Sequence, residues 1–115
     1  MLTKEHFVKE MKIYLDDMRK APSGWKLMET VQDVLTALKT GTVTHLSLDH
    51  DLGDDDVVGT GYDVILWIEK EIIMNGFVPP EIKIHTANVS ARKKMELGLS
   101  KIVDYAGAES DEDNN

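Results

Sequence analysis

The residues best suited to chemistry follow three short apolar stretches of this chain. Asp16 and Asp17 come after residues 12–15, Asp49, His50 and Asp51 come after residues 45–48, and His85, Thr86 and Asn88 come after residues 81–84. If these stretches are neighbouring parallel strands, their polar ends meet at one edge of a sheet, where open α/β sheets bind their ligands. The order of residue types therefore predicts a polar site at that edge.

Two histidines in this set suggest proton transfer. His50 and His85 would end adjacent strands, which lie about 4.7–4.9 Å apart. A histidine with an ordinary pKa of about 6.5 can be neutral or charged near neutral pH, so one ring can act as base and the other as acid. That division suits the opening or hydrolysis of a cyclic phosphodiester. A structural role for each histidine is the competing interpretation.

The carboxylates in the same set suggest a cation site. Asp16, Asp17 and Asp49, with Asp51 as a fourth candidate, would bring three or four negative charges together, and such crowding is unfavourable unless a cation or a proton relieves it. Carboxylate oxygens suit Mg²⁺ or Ca²⁺, and Mg²⁺ usually completes its shell with water and phosphate. Alternatively, the aspartate pair caps a turn or binds Arg19 or Lys20. A metal-free site, in which Asp16, Asp17 and Asp49 orient the catalytic histidines, fits the sequence equally well.

Several further residues could bind the substrate. Arg19 follows the first stretch and could bind phosphate as a two-pronged donor, or it could be a surface charge. Thr86 and the backbone N–H groups that follow Asn88 could hold phosphate oxygens. Trp25 could stack on a base, or it could cover the edge of the core.

The elements that position these residues alternate between strands and helices. Residues 25–28 predict a brief edge strand, and Thr30 could cap a helix that Gly41 ends. Thr60 could cap a second helix that stops at Gly76, and Asn88 or Ser90 could begin a third. We expect residues 53–59 to form a flexible acidic loop and residues 102–105 to form a last edge strand. This alternation predicts one parallel sheet of four or five strands in a three-layer, doubly wound α/β fold.

Alternation along the central strand also predicts which side chains are buried. Leu46, Leu48 and His50 should lie on one face of the sheet, and Ser47, Asp49 and Asp51 on the other. Since successive side chains of a strand point to opposite faces, we expect the first set to face the core and the second set to face solvent.

Length and composition limit the classes of function. A chain of 115 residues, 42% hydrophobic, predicts a single domain, residues 11–106, with a leader at residues 1–10 and an acidic disordered tail at residues 107–115. The absence of cysteine excludes disulfides and thiol catalysis, and with no long apolar run it favours the cytoplasm rather than a membrane. A net charge of −8 argues against broad nucleic-acid binding, although a small phosphate ligand or an RNA end remains compatible.

The pattern resembles the receiver domain of two-component signalling, which has a flavodoxin-like fold. In that family the matching positions imply Mg²⁺ binding at Asp16 and Asp17, a phosphoacceptor at Asp49 and a switching hydroxyl at Thr86. The sequence departs from the pattern at the fifth strand, where a lysine followed by proline is usual. Here Lys101 precedes the last apolar run and is followed by Ile102.

A divergent branch resembles the chain more closely: the cyclic-phosphate-processing receiver-like domains of bacteria and phages. The similar motifs are residues 13–19 (IYLDDMR) with Pro22 and residues 24–25 (GW), then 46–53 (LSLDHDLG), 60–63 (TGYD) and 84–88 (IHTAN). The resemblance implies a phosphoesterase type of hydrolase acting in RNA repair or nucleotide metabolism. The alternative is a signalling or binding module that holds a divalent cation and is phosphorylated on Asp49 or docks a partner.

Overall fold

The computed structural model describes residues 9–53 and 55–114, so the predicted leader falls almost entirely outside the described residues. Along this part of the chain, strands and helices follow in the order β1 (Lys12–Leu15), β2 (Lys26–Met28), α1 (Val31–Leu38), β3 (His45–Leu48), α2 (Asp55–Val58), α3 (Gly61–Asn75), β4 (Glu81–Ile84) and α4 (Val89–Asn114). No described helix has the length and apolar composition needed to cross a lipid bilayer.

The strands form one parallel sheet in the order β2-β1-β3-β4. Leu15 in β1 is aligned with Leu48 in β3, and Leu48 is aligned with Ile84 in β4. The pairing continues past the strands, because Asp49 N donates to Leu15 O over 3.0 Å and His85 N donates to Leu48 O over 2.9 Å. The predicted α/β, receiver-like fold is confirmed, and the ends of β1, β3 and β4 lie side by side.

One face of this sheet is apolar and contacts the helices. Ile13, Leu15, Leu46 and Leu48 are completely buried on that face. They belong to a single core cluster with buried side chains of three helices, namely Val31, Val34, Leu38, Val64, Ile65, Ile68, Ile72, Met95 and Ile102. The helices pack on this apolar face. The polar side chains, which alternate with the apolar ones along each strand, therefore lie on the opposite face of the sheet.

Ser47 and Asp49 correct the expectation for that second face. We predicted both side chains to face solvent, yet each residue is only 6% exposed. The reason is local: Ser47 is covered where it binds His85, and Asp49 lies among the polar groups that gather at the strand ends. Both faces of the central strand are therefore buried near the site.

The helix ends follow the predicted capping chemistry. Thr30 accepts the Asp33 N–H at the start of α1, and Thr60 and Asp63 form a reciprocal capping box at the start of α3. Gly76 ends α3 in the left-handed conformation with φ +66°. At the start of α4, the side-chain oxygen of Asn88 accepts the Ala91 N–H over 3.1 Å.

Helix α3 begins directly against the end of β3. Gly61 N donates to the carbonyl of His50 over 3.2 Å, and a Cβ added at Gly61 would overlap the carbonyl oxygen of Asp49. Only glycine allows this approach, so Gly61 sets the distance between the helix and the site residues that follow β3.

Two predicted elements are wrong. Residues 102–105 belong to α4 and not to an edge strand, because Ala91, Met95 and Ile102 are buried at helical spacing and continue one apolar stripe. Asp55–Val58 forms the short helix α2 where we expected a flexible loop; Asp54 lies outside the described residues. The predicted boundaries of the leader and the acidic tail stay predictions.

Candidate functional site

Asp16 is the most heavily bonded carboxylate of the site. Its Oδ1 accepts the backbone N–H groups of Met18 at 2.8 Å and of Arg19 at 2.9 Å. Its Oδ2 accepts Arg19 Nη1 at 2.8 Å and His85 Nε2 at 3.0 Å. The short turn after β1 thus folds around a completely buried carboxylate.

These donors decide the charge of Asp16. Burial by itself would raise the pKa of this carboxyl, but the backbone N–H groups of Arg19 and Met18 and the side chains of Arg19 and His85 outweigh burial and lower the pKa to about 2. Asp16 is therefore ionised near neutral pH and acts only as a hydrogen-bond acceptor.

His85 is held on three sides. Its Nδ1 lies 2.7 Å from Ser47 Oγ, and its ring is stacked on Tyr14 with centroids 4.1 Å apart and planes within 3°. Burial lowers the pKa of His85 below its ordinary value, and the contact with Asp16 offsets only part of that effect. In the neutral ring, Nε2 carries the proton donated to Asp16, so Nδ1 accepts the hydroxyl proton of Ser47.

His50 pairs with a different carboxylate. Its Nδ1 lies 2.7 Å from Asp51 Oδ1, and Asp51 Oδ2 accepts Asn88 Nδ2 at 3.3 Å. The hydrogen bond from His50 is the main reason that the pKa of Asp51 is lowered. Since this carboxylate can only accept, the neutral His50 ring carries its proton on Nδ1 and leaves Nε2 as the accepting nitrogen.

The two histidines therefore end neighbouring strands but do not bind each other through any hydrogen bond of the described residues. Continuing the strand register places His85 beside Asp49 and His50 beside Thr86. His85 is one position and His50 two positions past the last aligned pair, Leu48 and Ile84. Successive side chains along a strand point to opposite faces of the sheet, so each ring reaches a different set of partners.

Asp16, Asp17 and Asp49 form an acidic cluster whose ligand oxygens lie within 4.8 Å of one another. Asp49 Oδ1 accepts the backbone N–H of His50 at 2.8 Å. Asp17 Oδ1 is buried and finds no hydrogen-bond partner among the described residues. A buried carboxylate oxygen without a donor, beside two other carboxylates, fits a hard divalent cation, so the cluster could hold a metal ion.

Arg19 contributes a positive charge to this acidic cluster. Besides its contact with Asp16, the Nη1 atom lies 3.6 Å from Asp49 Oδ2. The guanidinium therefore bridges two of the three carboxylates while 44% of the side chain stays exposed.

Thr86 and Asn88 build the turn that leads into α4. Thr86 is buried, and its Oγ1 accepts the backbone N–H of Asn88 at 3.2 Å. Asn88 caps α4 and reaches Asp51 with its amide. Thr86 directly follows His85, and Asn88 contacts the same carboxylate that binds His50.

Trp25, in contrast, lies away from the clustered carboxylates. It directly precedes β2, at the opposite end of the strands, where Lys12 Nζ lies 5.7 Å from its ring centroid. Tyr14 lies between the tryptophan and the site: its ring centroid is 6.3 Å from that of Trp25 and stacks on His85 on its other side.

Two cavities of about 550 Å³ and 640 Å³ also lie away from the site, and both are lined by Met11 and Lys26. Phosphate recognition depends on converging donors rather than on volume, so we place the site at the converging polar groups.

Sequence reasoning missed Ser47 and Tyr14. Both residues contact His85, and both lie on the same face of the sheet as Asp16 and Asp49. Their positions two residues before Asp49 and Asp16 were the available signal, because side chains two apart on a strand point to the same face.

Comparison with known proteins gives one finding. The family model described as the cyclic-phosphate processing receiver domain matches residues 11–101, which include every residue of the site described above. No curated protein and no solved structure matches the chain.

Proposed function

Since the chain belongs to the family of cyclic-phosphate processing receiver domains, we propose that it hydrolyses a cyclic phosphate, either the 2′,3′-cyclic phosphate of an RNA end or a cyclic nucleotide. One observation carries the reaction type: two imidazoles at neighbouring strand ends are each oriented by a carboxylate. Imidazoles oriented in this way are suited to moving protons at a phosphorus centre.

His50 is the general base in this proposal. Asp51 holds the Nδ1 proton, so Nε2 can take a proton from water as the water oxygen attacks phosphorus. Asp51 also stabilises the imidazolium that forms, since the two groups are 2.7 Å apart.

His85 is the general acid. The acid is the imidazolium form of His85, which carries a proton on each ring nitrogen. As the bond between phosphorus and one ring oxygen breaks, the Nε2 proton passes from the contact with Asp16 to that leaving oxygen. The ring is left neutral with its remaining proton on Nδ1, beside Ser47, and the product is a phosphomonoester with a free hydroxyl group. A pKa lowered by burial makes the imidazolium of His85 a stronger acid and favours this transfer. Asp16 and Ser47 hold the ring in position through the two hydrogen bonds described above.

The phosphate would be bound by Arg19 and by the turn that contains Thr86 and Asn88. The Arg19 guanidinium can donate to two oxygens at once, and the first backbone N–H groups of α4, which follow Asn88, offer further donors. Thr86 stabilises this turn, because its Oγ1 accepts the backbone N–H of Asn88. The remote position of Trp25 suits contact with a neighbouring base better than contact with the phosphate itself.

The acidic cluster would hold Mg²⁺ through Asp16, Asp17 and Asp49, as receiver-type sites do. A bound cation would neutralise charge on a phosphate oxygen. The proton transfers assigned to His50 and His85 use this chain's own groups and do not depend on that cation.

A signalling role is the second candidate, and the position of Asp49 beside Asp16 and Asp17 favours it. Against it, Asp49 is occupied by the His50 N–H and faces Arg19, and the described ion pairs bring no lysine to the cluster. The receiver pattern has a lysine followed by proline at the end of its fifth strand, and this sequence lacks that pair.

One experiment separates the two candidates. The wild-type chain is incubated with a short RNA ending in a 2′,3′-cyclic phosphate, and separately with acetyl phosphate and Mg²⁺. We expect conversion of the cyclic end to a phosphomonoester and an unchanged intact mass with acetyl phosphate. A hydroxylamine-labile adduct on Asp49 without turnover would replace our proposal by the signalling role.

A further inference from the structure

We infer that the Arg19 guanidinium acts as a built-in counterion of the acidic cluster, and that it and a divalent cation bind this cluster in competition. The inference rests on the Mg²⁺ site of the proposed function, but it does not depend on the proton transfers, because it concerns the cluster before any substrate binds.

Arg19 occupies the position that a cation would need. Its Nη1 lies 2.8 Å from Asp16 Oδ2 and 3.6 Å from Asp49 Oδ2, so one nitrogen bridges two of the three candidate ligands. A guanidinium and a divalent cation both carry positive charge, and they cannot share one carboxylate oxygen at contact distance without repulsion.

Asp16 has no coordination capacity left while Arg19 is bound. Its two oxygens already accept four donors, from Met18, Arg19 twice, and His85. A carboxylate offers about four lone-pair sites, so a metal at Asp16 must replace at least one of these donors. The backbone donors are fixed by the turn, and the partly exposed Arg19 side chain is the donor that can leave.

Among the described ion pairs, Arg19 contacts only two of the three carboxylates, and Asp17 is the one that it does not contact. The Oδ1 of Asp17 is buried without a partner among the described residues, so Arg19 contacts Asp16 and Asp49 but leaves this oxygen of Asp17 unsatisfied. A divalent cation could contact all three carboxylates, which is why the cluster can still bind one despite the competition.

Displacement requires only a side-chain movement. The Arg19 backbone N–H stays bound to Asp16 Oδ1, while 44% of the side chain is already exposed. The released guanidinium would remain at the mouth of the site, where it could meet an anionic oxygen. Cation binding and release of Arg19 are therefore coupled, and the coupling acts in both directions.

The test is a calorimetric titration of MgCl₂ into wild type, Arg19→Gln and Lys20→Gln. Lys20 is the matched control, because it is the adjacent exposed residue and its replacement changes the net charge equally. We expect Arg19→Gln to bind Mg²⁺ about fivefold or more tightly than wild type, a typical size for coupling between sites. Lys20→Gln should differ from wild type by much less.

Equal or weaker Mg²⁺ binding by Arg19→Gln would overturn the inference, and so would the absence of binding in every variant. An equal gain in Lys20→Gln would reduce the effect to general charge and would also contradict it. If Arg19→Gln does not fold, the Arg19 side-chain NMR signal of the wild type decides: it should move as MgCl₂ is added, and a signal that stays fixed while Mg²⁺ binds refutes competition.

Discussion

The Nε2–H of His85 donates to Asp16 Oδ2 over 3.0 Å, and this bond joins the end of β4 to the end of β1 across β3. His85 is thereby directed toward the acidic cluster, while His50 is directed toward Asp51. Two carboxylate–imidazole pairs on adjacent strand ends are the feature from which the proposed reaction follows.

The stability of the metal-free chain should fall in two steps as the pH is lowered. The folded pKa of His85 lies below its ordinary value of 6.5, so the unfolded chain takes up this proton first and stability declines below about pH 6.5. Asp16 has a folded pKa of about 2 against an ordinary 3.8, so its contribution is complete above pH 3.8 and is lost as the pH falls through about 2.

The Asp16 step amounts to about 2 kcal/mol. Urea unfolding at a series of pH values measures both steps. His85→Gln should lose the decline near pH 6.5 and keep the acidic one. An unchanged decline in that variant would show that the upper step belongs to another group.

Ser47→Ala should weaken the support of His85. The substitution leaves the imidazole Nδ1 without its hydroxyl donor, which costs about 1 kcal/mol where some water can enter. We expect kcat to fall while KM changes little, because the ring loses orientation and the phosphate donors remain. Ser100→Ala on α4 is the control and should leave both quantities unchanged. An equal effect of the two substitutions would contradict a specific role for Ser47.

Gly61→Ala should destabilise the chain by at least about 2 kcal/mol, since the new Cβ overlaps the backbone of Asp49 and cannot be accommodated by a side-chain rotation. Gly98→Ala is a milder comparison, because its Cβ would lie 2.7 Å from Ile65 Cγ2, a side-chain methyl, whereas the Cβ at position 61 would overlap backbone. Thermal unfolding of both variants tests the difference. Similar melting temperatures would mean that α3 does not press against the end of β3.

Asp17→Asn should stabilise the metal-free chain and weaken Mg²⁺ binding. The change removes one of three crowded charges and one candidate ligand while keeping the size of the side chain. We expect a gain of about 1 kcal/mol, which raises Tm by about 4 °C in a domain of this size. Asp104→Asn, exposed on α4, is the control. A lower Tm for Asp17→Asn would show that the carboxylate has a favourable partner.

Local sequence signals were sufficient for most of the fold. Thr60 with Asp63 and Gly76 marked both ends of α3, because capping depends on residues within one turn. Short apolar stretches located β1, β3 and β4, and the polar residues after each strand located the site. Such features need no knowledge of distant contacts.

The remaining features depend on contacts between distant residues. Ser47 binds a residue 38 positions away, and its burial could not be read from alternation alone. The separate partners of His50 and His85 follow from the strand register, which is set by the packing of the whole sheet. Trp25 was placed at the site because its loop begins there, but the loop ends at the other end of β2.

The most direct test is single-turnover hydrolysis of an RNA ending in a 2′,3′-cyclic phosphate, compared for wild type, His50→Ala, His85→Ala and His45→Ala. His45 is the matched control, since it begins β3 at the far end of the strands. We predict that loss of either site histidine slows the reaction by about 10²-fold or more, the usual contribution of a general acid or base, while His45→Ala reacts at the wild-type rate. If all three folded variants react as the wild type does, the two histidines do not carry the chemistry and the proposed mechanism is wrong.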